Sequence, residues 1–153
     1  MSTTADTSPA NLTRIRGAQL SDGDRIFVLL KQLEESYAPD RNAFNESFSF
    51  LVEDEATSVL LVAEDGKGFV LGYALTTISP LLYTNGRSAQ LQELVVDDAH
   101  RASGIGTALI EAVENLCRER QVKQLTVASR RSADFYERLG YHSTADYLKR
   151  TFD

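Results

Sequence analysis

Ordered patterning begins at Leu12 to Arg16, where apolar and polar residues alternate over a length that suits a short strand. Beyond Ser21 and Asp22, two candidate N-caps, Ile26, Leu29, Leu30, Leu33 and Tyr37 recur at helical spacing until Pro39 stops the run. Phe44, Phe48, Leu51 and Val52 repeat that spacing and predict a second helix over 41–53. The period then changes. Val59 to Ala63 is a short apolar run, Asp65-Gly66 is a turn dipeptide and 69–79 is rich in β-formers, which together predict a hairpin. Asn85-Gly86 marks the next turn, and its outgoing strand over 88–96 completes a three-stranded antiparallel meander. Ile105, Ala108, Leu109, Ala112, Val113 and Leu116 line one face of a long helix. A strand over Gln124 to Ala128, a short helix over Ser132 to Leu139 closed by Gly140, and a last strand over Tyr147 to Phe152 follow. No repeat or low-complexity linker divides this α+β order. The expected organisation is a flexible tail over 1–10, without periodicity, and one domain over 11–153.

Composition narrows the class. At 153 residues, 42% hydrophobic and 25% charged, the chain has the size and balance of one globular domain. No apolar run approaches the roughly 18 to 20 residues of a membrane span, and the first residues lack the basic and apolar regions of a signal peptide. The expected location is cytoplasmic, with no membrane partner. A single cysteine, Cys117, excludes an internal disulfide and argues against a Cys-based metal site, and no other metal-ligand spacing occurs. The net charge of -6 is unevenly placed: residues 1–86 carry 6 Lys/Arg against 12 Asp/Glu, and residues 87–153 carry 10 of each. An acidic half repels phosphate backbones and attracts small cations, so nucleic acid is not an expected partner.

The chemistry concentrates between the strand ending Leu94-Val95-Val96-Asp97 and the long helix, in Arg101-Ala102-Ser103-Gly104-Ile105-Gly106-Thr107. Two glycines remove side chains where the backbone turns and where a bulky anion approaches. The first amides of the helix have no intrahelical acceptors, and the helix dipole favours negative charge there. Arg101 adds a fixed charge and Thr107 a hydroxyl, a set suited to a pyrophosphate. A dinucleotide fingerprint would need a third glycine after an early parallel strand, and a Walker loop would need Gly-Lys-Ser/Thr. The segment has neither.

What remains, Arg101-x-x-Gly104-x-Gly106 after Leu94-Val95-Val96-Asp97, resembles the acetyl-CoA loop of the GNAT N-acetyltransferases. Phe135-Tyr136-Glu137-Arg138-Leu139-Gly140-Tyr141 resembles that family's second signature, a short Phe-Tyr helix closing at Gly-aromatic. The motifs stand in the family's order, with a long helix and a strand between them. The resemblance implies a GNAT fold, with a central mixed, mostly antiparallel, splayed sheet flanked by helices. It also implies acetyl-CoA as acetyl donor without a metal. The strand before the loop would splay from its neighbour, so that pantetheine pairs with main chain near Leu94 and Val96, and an amide at Val95 or Val96 would polarise the thioester carbonyl.

Acetyl transfer to an amine needs a base near the nitrogen and a proton donor near sulfur. Glu93 is the candidate base: strand alternation places it on one face with Leu91 and Val95, where apolar neighbours would raise its pKa. By the resemblance, Tyr136 sits by the CoA sulfur as a neutral donor, with Phe135 a packing residue. Many relatives carry asparagine at the end of the preceding strand, where it helps hold pantetheine; by the resemblance Ser129 stands at that place as a candidate cofactor contact, and Arg130 and Arg131 face either CoA phosphates or solvent. His100 reads as a loop histidine beside the phosphate loop, His142 has no visible partner, and Cys117 reads as a structural thiol.

By the same resemblance the acceptor sits between the segments over 26–53 and the strand carrying Glu93, largely in the acidic half, which suits a small cationic primary amine: an amino sugar, a polyamine-like amine or an amino-acid amine. A protein amine stays open as the acceptor, as does a non-catalytic acyl-CoA binding or sensing domain. A homodimer is compatible with the resemblance, and nothing in the sequence specifies an interface.

Overall fold

In the computed structural model, residues 13–33, 37–129 and 132–152 are described. The tail over 1–10, Leu12 at the start of the first expected strand, and Arg130 and Arg131 lie outside the described residues. Five strands, β1 (Arg14–Gly17), β2 (Ser58–Glu64), β3 (Val70–Leu81), β4 (Gly86–Val96) and β5 (Gln124–Val127), form one sheet in chain order. The first four pair antiparallel and β4 pairs parallel with β5, so the sheet is mixed and mostly antiparallel. Every residue of β2 is buried, as a central strand covered on both faces requires.

Helices α1 (Gly23–Leu30), α2 (Arg41–Glu53), α3 (Ile105–Glu119) and α4 (Ala133–Arg138) cover the sheet. On one face α3 packs Leu109, Ile110 and Val113, each at most 1% exposed, against Leu61, Leu71, Ala74 and Leu91. Burying a side chain of that size contributes about 2 kcal/mol, so this stripe anchors the helix whose first turn carries the glycine loop. On the other face α1 and α2 contribute Ile26, Leu29 and Phe48 to a cluster with Val62, Tyr73, Leu75 and Val95. The Asp40 carboxylate accepts the Ala43 N–H at 2.9 Å and starts α2.

The first helix is shorter than its periodicity: α1 ends at Leu30, a 3-10 turn covers Lys31–Leu33, and Tyr37 is exposed. The expected last strand is a correction. Residues 141–152 take no strand, and Tyr147, Leu148 and Phe152 are exposed. A run of β-formers has propensity but becomes a strand only with a ladder partner. Here the segment is held by side chains, the Tyr141 hydroxyl donating to Glu114 at 2.6 Å and Gln90 Nε2 donating to the Tyr147 oxygen at 3.3 Å.

Candidate active site

The site grows from an irregularity in β4. Leu75 pairs with Glu93 and Thr76 with Leu91, so Gln92 is an extra residue opposite an uninterrupted β3. Ala89 and Leu91 face α3, and beyond the bulge Leu94 and Val96 face α3, whereas Val95 joins the α1/α2 cluster. The expectation that Glu93 shares a face with both Leu91 and Val95 is therefore corrected. The bulge separates them, and Glu93 stays with Val95. Its neighbour is also polar: the buried Tyr73 hydroxyl donates to Glu93 Oε1 at 2.7 Å. Burial, the Glu93 charge and that hydrogen bond hold the Tyr73 hydroxyl well above the usual phenol range, so it remains a donor. Two adjacent polar residues, Gln92-Glu93, interrupting an alternating strand were the signal for this bulge.

Beside the bulge the sheet opens. β4 and β5 are paired only from Ser88↔Gln124 to Leu91↔Val127, after which β4 continues to Val96 without a β5 partner. The Asp97 N–H donates to Leu71 O at 2.8 Å. Since N–H direction alternates along a strand, Val95 also points its N–H toward β3, and Leu94 and Val96 point theirs to the open side.

The loop after β4 leads to the N-terminus of α3. Asp98–His100 form a 3-10 turn, Ala102 has φ +65° and Gly104, the N-cap of α3, has φ +88°. A side chain at Gly104 would meet nothing within 4 Å, so glycine is needed there for its left-handed backbone rather than for space. Ile105 buries its side chain in the core while its backbone stays at the helix start, and Gly106 and Thr107 complete the first turn. Ser103 Oγ donates to His100 O and so braces the loop from inside. Arg101 is exposed, with Nη2 2.6 Å from Asp98 Oδ1 and Nε donating to Val96 O at 3.4 Å. A left-handed N-cap, free first-turn amides and an adjacent guanidinium form a cradle that fits a pyrophosphate, and the open β4 edge fits an amide-bearing arm.

Helix α4 closes the site. A Cβ on Gly106 would lie 3.5 Å from Phe135 Cζ and 3.8 Å from Val96 Cγ2. The first turn of α3, the end of β4 and the Phe-Tyr helix thus converge at one point. Tyr136 is 8% exposed, edge-on to Phe135 and Tyr141. Burial pushes its hydroxyl up to about 12, which keeps it a neutral phenol at physiological pH. Ser129 Oγ accepts the Ser132 N–H at 3.0 Å ahead of α4.

Other candidates fall away from this point. Cys117 is buried in α3, and burial with the nearby Glu114 charge raises its thiol, the pattern of an inert cysteine. His142 is exposed, and His100 Nδ1 is buried 3.7 Å from Asp97 Oδ2. Among the described residues no His/Cys/Asp/Glu group is arranged to hold a metal, and no helix is long and apolar enough to cross a membrane.

A model of the Acetyltransferase (GNAT) family matches residues 25–141, which contain the bulge, the glycine loop and the Phe-Tyr helix. The chain belongs to that family, and so to the N-acetyltransferases. It is 29% identical over 132 residues to glucosamine 6-phosphate N-acetyltransferase 1 of Oryza sativa subsp. japonica, across 84% of this chain and 80% of that protein. It is 32% identical over 78 residues to glucosamine 6-phosphate N-acetyltransferase of Trypanosoma brucei brucei, across 50% of this chain and 53% of that one. The latter match thus spans about half the length of that relative. In fold it is similar to a glucosamine-6-phosphate N-acetyltransferase from Arabidopsis thaliana, with TM-score 0.80 and 21% identity over 92% of this chain and 99% of that one. A transcriptional regulator from Bacillus halodurans C-125 superposes with TM-score 0.81 and 24% identity over the same shares.

Proposed function

We propose that this protein transfers an acetyl group from acetyl-CoA to the primary amine of a small molecule. The observation that carries the reading is the parting of β4 from β5 after Leu91↔Val127, immediately beside the glycine-started helix α3. Bound acetyl-CoA supplies an activated thioester, which the amine nitrogen attacks directly in a ternary complex. The amides of 103–107 and the Arg101 guanidinium hold the phosphates, and the main chain of Leu94 and Val96 holds the pantetheine arm. Between Val95 and Val96, the amide facing the opening is that of Val96, which makes it the donor to the thioester oxygen as negative charge develops there.

Glu93 receives the proton that the ammonium must lose, directly or through one water. It shares the face of α1 and α2, the side from which the acceptor approaches. Tyr136 donates its phenolic proton toward sulfur, and burial keeps that proton in place. Ser129 Oγ accepts the N–H of Ser132, the N-cap of α4, which helps place Tyr136 and leaves the Ser129 O–H to donate to the pantetheine arm.

For the acceptor, the relatives named above argue for an amino sugar phosphate, and the surface beside Glu93 supports a polyhydroxylated molecule. Gln90, Gln92 and Thr77 offer amides and a hydroxyl there, with Gln92 Nε2 donating to Thr77 Oγ1 at 2.9 Å. The net charge of -6, concentrated in residues 1–86, favours approach of a cationic amine end. The test is an acetylation panel with thiol detection, comparing glucosamine 6-phosphate, unphosphorylated glucosamine, a polyamine and amino-acid amides. Amine-dependent CoA release with one sugar amine is expected. Release that stays at the hydrolysis level for every amine, while acetyl-CoA binds, would replace the enzyme reading with that of an acyl-CoA binding domain.

A further inference from the structure

Where α1 runs out, a set of polar side chains reaches across to the end of β4 and takes no part in the chemistry above. Gln32, in the 3-10 turn that follows α1, accepts the Asp98 N–H at 2.9 Å through Oε1 and donates to Asp97 Oδ1 at 3.4 Å through Nε2. Arg25, two helical turns earlier on the same side, donates Nη2 to Asp97 Oδ2 at 2.7 Å and Nε to Val70 O at 2.8 Å. Asp97 and Asp98 are the first residues after β4, and Asp98 in turn holds Arg101. Burial alone would push the Asp97 carboxyl up, but the Ala99 amide, Arg25 and Gln32 outweigh it and hold it below its ordinary value, so its charge is kept.

The loop these contacts precede is braced mainly from within, by Ser103 Oγ on His100 O and by Asp98 on Arg101, and beyond residues 97–98 its tie back to β4 is the long 3.4 Å contact of Arg101 Nε with Val96 O. It carries left-handed residues at both 102 and 104, and its backbone changes direction at each. What sets the position of its amides relative to the sheet is the anchorage at 97–98. We propose that Gln32 is a positioning residue for the cosubstrate: from the 3-10 turn after α1, on the acceptor side of the sheet, it fixes the backbone at Asp97-Asp98, and through Asp98 the Arg101 guanidinium. The inference rests on the reading of 101–107 as the acetyl-CoA loop. Gln32 separates this role from packing better than Arg25, whose guanidinium also stacks 4.3 Å over the Phe69 ring.

The experiment pairs wild type with Gln32→Met, which keeps length and bulk and removes both hydrogen bonds. Hydrogen exchange of amides 98–107 is recorded without ligand, followed by acetyl-CoA affinity by calorimetry and steady-state kinetics. Faster exchange confined to this loop is expected, with the dissociation constant and KM for acetyl-CoA raised about tenfold and kcat at saturation within about twofold of wild type. A general loss of stability would instead speed exchange throughout the sheet and leave KM unmoved. Unchanged loop exchange, or faster exchange with unchanged affinity in a wild type that binds acetyl-CoA, overturns the positioning role alone. A wild type that does not bind acetyl-CoA overturns the functional reading and this role with it.

Discussion

The Tyr73 hydroxyl, on a residue 2% exposed in β3, donates to Glu93 Oε1 at 2.7 Å across the bulge in β4. A buried phenol spent on one carboxylate oxygen fixes the Glu93 rotamer and leaves its second oxygen free for a proton. Glu93→Gln is expected to lower kcat about a hundredfold, the size of a general-base contribution, with KM for acetyl-CoA within about twofold. Tyr73→Phe should cost less, roughly three- to tenfold, because it loosens the carboxylate without removing it. In the double variant the two effects should not add, since both act on one group. Steady-state kinetics on the best acceptor measures all three, and a Glu93→Gln enzyme at wild-type kcat would remove Glu93 from the mechanism.

Tyr136 leads to an expectation about pH. Burial raises its hydroxyl to about 12, so the proton is present at every pH below that and is lost only above it. Tyr136→Phe should lower kcat by about ten- to a hundredfold, and the ratio of wild type to variant should be flat from pH 6 to pH 10. A ratio that collapses toward one near pH 8 would mean that the phenol titrates in that range and that its surroundings are not those described.

The order of elements and both signatures were legible because each rests on local pattern: the helical stripe of Ile105, Leu109 and Val113, the turn at Asn85-Gly86, where Asn85 takes φ +57°, and the glycines around Ile105. The side on which Glu93 faces was not, because one extra residue at Gln92 reverses every later side chain; the polar pair Gln92-Glu93 marks a break in the alternation but does not say which residue is the extra one. Tyr73, Arg25 and Gln32 were also out of reach. Their partners are 20, 72 and 66 residues away, and nothing local marks a tyrosine in an apolar strand as a carboxylate's partner. The last strand over 147–152 was overread, since propensity is local and a ladder partner is not.

The two glycines of the loop should separate when replaced. Gly104 sits at φ +88° with open space around its Cα, so Gly104→Ala meets no atom but strains the backbone by about 1 to 2 kcal/mol. Gly106 is helical, and an added methyl would make ordinary contacts with Phe135 and Val96 at 3.5 and 3.8 Å. Gly106→Ala should therefore leave stability unchanged or raise it by up to about 1 kcal/mol, with KM for acetyl-CoA within about threefold. Gly104→Ala should lower stability and raise that KM together. Urea unfolding and kinetics on the two variants decide it, and a reversed order of damage would show that the loop depends on space rather than on backbone conformation.

The far edge of the sheet carries a carboxylate whose loss should be visible in acid. Arg16 reaches Asp22 with both terminal nitrogens, at 2.9 and 3.0 Å, and the Gln19 N–H donates to the same carboxylate at 2.7 Å. The hydrogen bonds from Arg16 outweigh the opposing effect of burial and, with Gln19, hold Asp22 below its ordinary range. A depressed folded value means that the stabilisation is complete above the unfolded carboxylate range near 4 and drains away as pH falls toward the folded value. Asp22→Asn should thus cost on the order of 2 kcal/mol at pH 7, less for the share of Arg16 that Glu64 retains at 3.2 Å. The gap between variant and wild type should narrow steadily below pH 4. Urea unfolding at pH 7, 5 and 3 measures it, and a gap independent of pH would show that Asp22 supports the turn at 20–22 by its shape and not by its charge.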